Sequence, residues 1–245
     1  MYKRQINGNY IAALDIGTSK VVCLIGSISD SHSIEIVAMG SYPSSGLKKG
    51  VVVNIDATTD AIQKSIEQAK NSFEGKIKNV FVGIAGNHIK SLNSHGIVGI
   101  KDKEVTQLDI EKVIDAAQAV AIPSDQRVLH VLPQEFVIDD QDAIREPLGM
   151  SGVRLESHVH LVTCANNAIQ NIEKCVKRCG IGIDGFVLEQ LASSYSILSN
   201  DEKELGVCIV DIGGGTTDIA IFNNGSICFT GCLLYTSDAA DDQLG

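Results

Sequence analysis

IAALDIGTSKVVCLIG at residues 11–26 and CIVDIGGGTTDIAIFN at residues 208–223 are one pattern written twice. Each runs an apolar strand into Asp-Ile-Gly, turns through Gly, Thr or Ser, and leaves as a second apolar strand. A glycine-rich turn lets backbone N–H groups approach a polyphosphate with no Cβ in the way, and Thr and Ser hydroxyls add donors. The Asp closing each incoming strand is placed to hold Mg2+, through its waters, against phosphate oxygens. A single copy is most often just a tight β-turn. Two copies in equivalent registers, one opening each half of the chain, predict facing hairpins that clamp a nucleotide between two lobes. Neither copy contains GxxxxGK[ST] or a GxGxxG that opens a helix, so the P-loop and Rossmann readings are rejected.

Working outward from the first copy, β-branched runs at 10–15, 20–29 and 33–40 predict a three-stranded antiparallel meander. A Ser-, Gly- and Pro-rich loop at 42–50 and a short strand at 51–54 follow. A helix is predicted over 56–73, with Ile62, Ile66, Ala69 and Phe73 on one face and Asp56 or Thr58 as N-cap. Gly75 stops it before a strand at 78–85. The texture then changes. A strand at 88–99 leads to Thr106 and Asp109, which resemble a capping box, and to a helix with Ile110, Val113, Ile114, Ala117 and Ala121 buried until Pro123 ends it. With strands at 127–138 and 154–163, this reads as a small α/β module inserted into the first domain. A helix at 167–179, a strand at 182–188 and a helix at 189–198 restore the alternation. Residues 199–204 read as a polar hinge.

Of 245 residues, 44% are hydrophobic and 20% charged, enough for a sizeable core. The net charge of −10 argues against a general nucleic-acid binder and against attraction of the whole chain to an anionic membrane. No apolar run approaches the roughly 20 residues of a membrane helix, and the stretch after Lys3 and Arg4 is too short for a signal-peptide core, so a cytoplasmic location is expected. Seven cysteines show no paired ligand spacing; Cys175 and Cys179 continue the stripe of Ile169, Ile172 and Val176 and read as small hydrophobes. His158 and His160 share a face of a strand with no ligand set beside them. Lys48, Lys49, Arg145, Arg154, Lys174, Lys177 and Arg178 read as surface charge, the last pair of lysine and arginine suited to a helix C-terminus.

The repeat resembles the actin, Hsp70 and sugar-kinase superfamily, whose two ribonuclease-H-like domains each contribute a phosphate loop. Asp15, Gly17, Thr18, Ser19 and Lys20 match the first phosphate motif; Asp211, Gly213, Gly214, Gly215, Thr216, Thr217 and Asp218 match the second. Glu189, near the start of the helix at 188–198, matches a position that in relatives helps hold the metal's water shell. Further stretches, among them KGVVVNIDATTDAIQKSIEQA, RVLHVLPQEFVIDD and PLGMSGVRLESHVHLVTC, are similar to the FtsA family of bacterial cell-division proteins over residues 10–230. The resemblance implies an α/β fold: an actin-like ATPase domain in two parts, 8–86 and 163–204, a 1C subdomain inserted at 87–162, and the start of domain 2A at 205–230. It implies ATP and Mg2+ as cofactors, Asp15 and Asp211 holding the metal through water, and at most weak ATPase activity. It implies self-association into filaments, FtsZ as partner, later division proteins at the 1C subdomain, and a division site at the inner face of the membrane, reached through a C-terminal amphipathic helix. No stretch of this sequence has the character of that helix.

The rival reading is a sugar or acetate kinase of the same superfamily, which needs a general base. No catalytic residue is identified; Asp139, Asp140 and Asp142 form an acidic cluster that reads as a solvated loop. After residue 230 the chain departs from the family pattern. Residues 232–241 back-translate to TGT CTC TTA TAC ACA TCT GAC GCT GCC GAC, a transposase-type sequencing adapter, so 231–245 is expected to be a non-native tail and the second domain incomplete. Weak ATP binding and poor solubility are the expected consequences for the chain as written.

Overall fold

The computed structural model describes residues 10–29 and 33–234. Lys3 and Arg4, and the expected tail beyond Leu234, lie outside the described residues. The chain runs β1 (Tyr10–Ile16), β2 (Lys20–Ile28), β3 (Ile34–Pro43), β4 (Leu47–Lys48), β5 (Val51–Val52), α1 (Ile55–Lys70), β6 (Asn79–Ile84), β7 (Ile89–Gly99), α2 (Gln107–Gln118) and β8 (Gln126–Ile138). It continues through β9 (Gln141–Ile144), β10 (Arg154–Ala165), α3 (Asn166–Arg178), β11 (Gly182–Leu188), α4 (Glu189–Ile197), α5 (Asn200–Leu205), β12 (Val207–Ile212), β13 (Thr216–Asn223) and β14 (Ser226–Leu234).

Alternation along β1 and β2 sends Ala12, Leu14 and Ile16, then Val21, Cys23 and Ile25, to one buried face. These strands belong to a five-stranded sheet of order β11-β6-β1-β2-β3, antiparallel through the meander and parallel where β6 joins β1 and β11. Helices α1 and α3 cover the apolar face with Ile62, Ile66, Ile169, Ile172 and Val176, and Cys175 is buried among them as a small hydrophobe. The N-cap of α1 is Asn54, whose side chain accepts from Ala57 N–H, rather than Asp56 or Thr58. Asn54 keeps extended backbone, whereas Asp56 and Thr58 already lie inside the helix.

The inserted module is a second, four-stranded sheet of order β7-β10-β8-β9. Helix α2 lies across it through Val113 and Ala117, started by the Thr106–Asp109 capping box. That helix ends at Gln118 instead of reaching Ala121, in keeping with the bias of residues before Pro123 away from helical backbone. The acidic 139–142 segment is the tight β8–β9 hairpin, with Asp140 and Asp142 exposed to solvent as expected and the Asp139 carboxylate accepting from Val153 and Arg154 N–H. The expected hinge at 199–204 is helix α5, closed by a second capping box between Ser199 and Glu202.

The third sheet, β12-β13-β14, repeats the opening meander. Strand β14 continues past Thr230 to Leu234, pairing Leu234 with Thr216, because the edge of β13 offers backbone partners to any extended chain irrespective of side chain. Helix α4 touches β6 and β11 of the first sheet and β12 and β13 of the third. No helix among the described residues is long and apolar enough to cross a membrane.

Candidate nucleotide cleft

Each half of the repeat builds its turn with the same hydrogen bond. Gly17 N–H donates to Lys20 O at 3.0 Å, and Gly213 N–H to Thr216 O at 2.9 Å. In the first hairpin Asp15 lies opposite Val22, and in the second Asp211 lies opposite Asp218, the same position in each register. The two hairpins meet over an open cleft of about 340 Å³ lined by Asp15, Gly17, Thr18, Ser19, Lys20, Glu189, Asp211, Gly213, Gly214, Thr216 and Asp218. The closeness of the loops depends on glycine: a Cβ on Gly214 would lie 1.8 Å from Ser19 Oγ, and one on Gly215 3.1 Å from Thr18 Cγ2.

Of the thirteen residues singled out in the sequence, Gly215 and Thr217 do not line the cleft. Gly215 packs under Thr18 and Lys49, and Thr217 takes the alternate side of β13 from the buried Thr216 and Asp218. Ile16 and Ile212 of the two turns, with Gly50 and Ala85 from outside them, complete the wall without having been singled out. Gly50 ends the two-residue turn between β4 and β5, with φ of 53° at Lys49 and 76° at Gly50, and its N–H donates to Thr18 Oγ1 at 3.1 Å. Positive φ at both turn residues makes this a type I′ hairpin, but Lys-Gly lacks the Asn-Gly or Asp-Gly signature that would mark one in sequence, and its contact with the first loop was not readable either. Ser44 N–H braces the same loop through Ser19 O at 3.0 Å.

Charge in the cleft is unbalanced. Asp15, Glu189, Asp211 and Asp218 line it, and Lys20 is the one basic side chain among its lining residues. Burial, then Asp15, Asp211 and Asp218, push the Glu189 carboxyl up to about 8. The Asp15 carboxyl is also raised, first by desolvation and then by Asp211, with Lys20 opposing. Gly83 on β6 leaves space for Glu189, whose Oε1 would be 3.2 Å from a Cβ there. Behind the cleft, Asp218 Oδ1 accepts from Gly86 N–H at 3.2 Å, and burial lowers the pKa of the neighbouring His88.

A dication fits this donor set, because its charge would offset both the burial and the mutual repulsion that raise the Glu189 and Asp15 carboxyls. No three His, Cys, Asp or Glu side chains among the described residues are grouped to ligate a metal directly, so water would complete such a shell. The glycine-lined turns fit phosphate oxygens for the complementary reason: their N–H groups are unobstructed.

Elsewhere the strand histidines have ordinary partners. His158 Nδ1 meets Glu135 at 2.9 Å, while the buried His160 lies between Asn93 Oδ1 at 2.7 Å and Thr230 Oγ1 at 3.2 Å. Several expected surface charges are paired: Arg178 with Asp56, Lys177 with Glu173, and Arg145 with Glu204.

A family model described as an SHS2 domain inserted in FtsA matches residues 86–163. Proteins named Cell division protein FtsA are similar along most of the chain. That of Pseudomonas aeruginosa is 61% identical over 238 residues, covering 97% of this chain and 57% of its own length. Those of Neisseria meningitidis serogroup B and Escherichia coli K12 are 53% and 42% identical, covering 91% and 96% of this chain and 54% and 56% of their own lengths. The chain thus spans about half the length of the curated relatives it matches. Among solved structures, the PilM-PilN type IV pilus biogenesis complex aligns with a TM-score of 0.66 at 15% identity, covering 91% of this chain and 61% of that one. The ethanolamine utilization protein EutJ from Carboxydothermus hydrogenoformans aligns at 0.53 and 14% identity, covering 94% and 54%. These likenesses show the fold alone, and the fold is that of the actin-like ATPases, carrying an SHS2 insert.

Proposed function

We propose, from its membership of the FtsA family, that this chain is the nucleotide-binding half of an actin-like cell-division scaffold that takes ATP with Mg2+. The observation that carries the reading is the meeting of two equivalent Asp-Ile-Gly hairpins over one cleft whose four carboxylates face a single lysine. With the Gly17 and Gly213 N–H groups already bonded within the turns, the backbone N–H groups of 18–20 and 214–216 would hold the phosphates, and Asp15 and Asp211 would hold the metal through water. Bound there, Mg2+ supplies positive charge to the phosphate oxygens and to the carboxylates together. Glu189 would orient that water shell from the start of α4, the helix that touches both sheets.

The names of the relatives support a role in cell division; the resemblance to that family extends the proposal to a protein that self-associates into filaments, joins the FtsZ ring to the membrane at the division site, and meets later division proteins through its inserted domain. Kinase chemistry is not favoured, since the acidic 139–142 hairpin lies outside the cleft lining and Asp139 is occupied by backbone N–H groups. Calorimetric titration of the full-length protein with ATP, with and without Mg2+, tests the site. Tight binding with Mg2+, lost at least ten-fold in Asp211→Asn, is expected. Equal affinity in wild type and Asp211→Asn would remove the cleft from consideration.

A further inference from the structure

Among the described residues strand β14 is the outer edge of the third sheet, and an edge strand leaves backbone groups unpaired. Here the SHS2 sheet supplies the missing donors from its side chains. Gln134 Nε2 donates to Ile227 O at 3.0 Å, Asn93 Nδ2 to Cys228 O at 3.3 Å, and Ser91 Oγ to Thr230 O at 3.2 Å. Ser226 Oγ donates in return to Gln134 O at 3.0 Å. At the turn preceding β14, the Arg145 guanidinium binds Asn224 O and Glu204, and a Cβ on Gly225 would lie 2.5 Å from its Nη1. Leu132 adds an apolar contact beneath Ile209, Ala220, Phe222 and Ile227.

The same SHS2 sheet is fixed to the first lobe. Strand β10 runs without a break into α3, and its Cys164 is part of the main core. Along β8 the attachments pass from one lobe to the other: Arg127 pairs with Glu173 of α3, His130 Nε2 accepts from Leu188 N–H at the start of α4, then Leu132 and Gln134 reach the third sheet.

We propose that the SHS2 insert is a strap between the lobes: rooted in the first through β10, it clamps the free edge of β14 and restrains opening of the cleft. Residues 226–230 of β14, the part that is clamped, pair with 220–223 of β13, and the same strand carries Thr216 and Asp218 into that cleft, so movement of the clamped edge moves cleft residues. Seating of the strap and binding in the cleft are then coupled, and the coupling is reciprocal. This second half rests on the nucleotide reading given above; the clamp itself does not.

Hydrogen exchange on the intact protein tests the clamp with no nucleotide present. In Asn93→Ala/Gln134→Ala, amides of 226–230 are expected to exchange about ten-fold faster, the loss of one to two neutral hydrogen bonds, while those of α2 stay unchanged. Arg145→Ala, at an exposed position that folding tolerates, is expected to give the same pattern more weakly. Unchanged exchange at 226–230 in both variants would overturn the strap. Stopped-flow release of a fluorescent ATP analogue with Mg2+ tests the coupling: release several-fold faster in the variants is expected, and identical release despite loosened β14 would overturn it. A wild type that binds no nucleotide would sink the coupling together with the functional reading, leaving exchange to decide the clamp.

Discussion

Glu189 concentrates the electrostatics of the cleft in one side chain. Burial and its carboxylate neighbours push its folded pKa up to about 8, well above that of a free glutamate, so folding takes up a proton, and the stability it contributes is complete below the unfolded value and lost as pH rises toward 8. Thermal melting of wild type and Glu189→Gln without Mg2+ from pH 4.5 to 8.5 should show the variant gaining on wild type by several degrees across that window. Parallel curves would mean the carboxyl is not held among Asp15, Asp211 and Asp218. Added Mg2+ should narrow the gap, most at the alkaline end, where the carboxylates are ionised. Gly214 makes a steric counterpart. Gly214→Val must push Ser19 away, and is expected to weaken Mg-ATP binding at least ten-fold while lowering stability by no more than about 1 kcal/mol, because the position is exposed. Binding that survives the substitution would show that the loops need not close.

At the scale of elements, the first and second sheets solve helix packing in the same way. Helix α1 crosses β3 over Gly40, where a Cβ would sit 1.9 Å from Ser65 O; α2 crosses β7 over Gly96, where it would sit 2.2 Å from Val113 O. Both obstructing atoms are helix backbone, which cannot rotate aside. Gly40→Ala and Gly96→Ala should each cost about 2–3 kcal/mol in urea denaturation, whereas Gly99→Ala, with nothing within 4 Å, should cost far less. Similar costs at all three would show that backbone freedom rather than contact matters. The helix starts are a second element-level device. Removing the Asn54 cap of α1 or the Thr106 cap of α2 should cost about 1 kcal/mol each. The capping box at Ser199 was readable as Ser-x-x-Glu, yet the polar, six-residue α5 lacks a buried stripe, so periodicity gave no signal for it.

At the scale of the molecule, the cleft is bounded by two lobes joined by α4 in front and by the SHS2 sheet behind. A ligand held by both lobes stabilises them as one body. Mg-ATP at a hundred times its Kd should add about 2.7 kcal/mol to the stability of the full-length protein, read as a rise in melting temperature that a chelator reduces. A melting temperature indifferent to nucleotide would count against the two-lobed clamp.

The sequence by itself determined the meander, the repeat and the two Asp-Ile-Gly turns that face the cleft, but not the Gly50 and Ala85 wall, because hydrophobic period, glycine and strand-ending Asp are local signals that survive without knowledge of neighbours. The change of texture read at 87–162 falls within residues 86–163, the stretch the SHS2 family model matches. Arg145 reads as surface charge, and nothing in its spacing, or in that of Gln134 and Asn93, ties them to residues 224–230. Their partners are mainly backbone carbonyls of a strand about 80 to 135 positions away, and a backbone carbonyl leaves no mark on the sequence. The charge at Glu189 was likewise hidden, since its burial and three carboxylate neighbours come from three separate segments. Only the tertiary structure, by bringing those segments to one cleft and setting the inserted sheet on an open strand edge, decided how the lobes are held together.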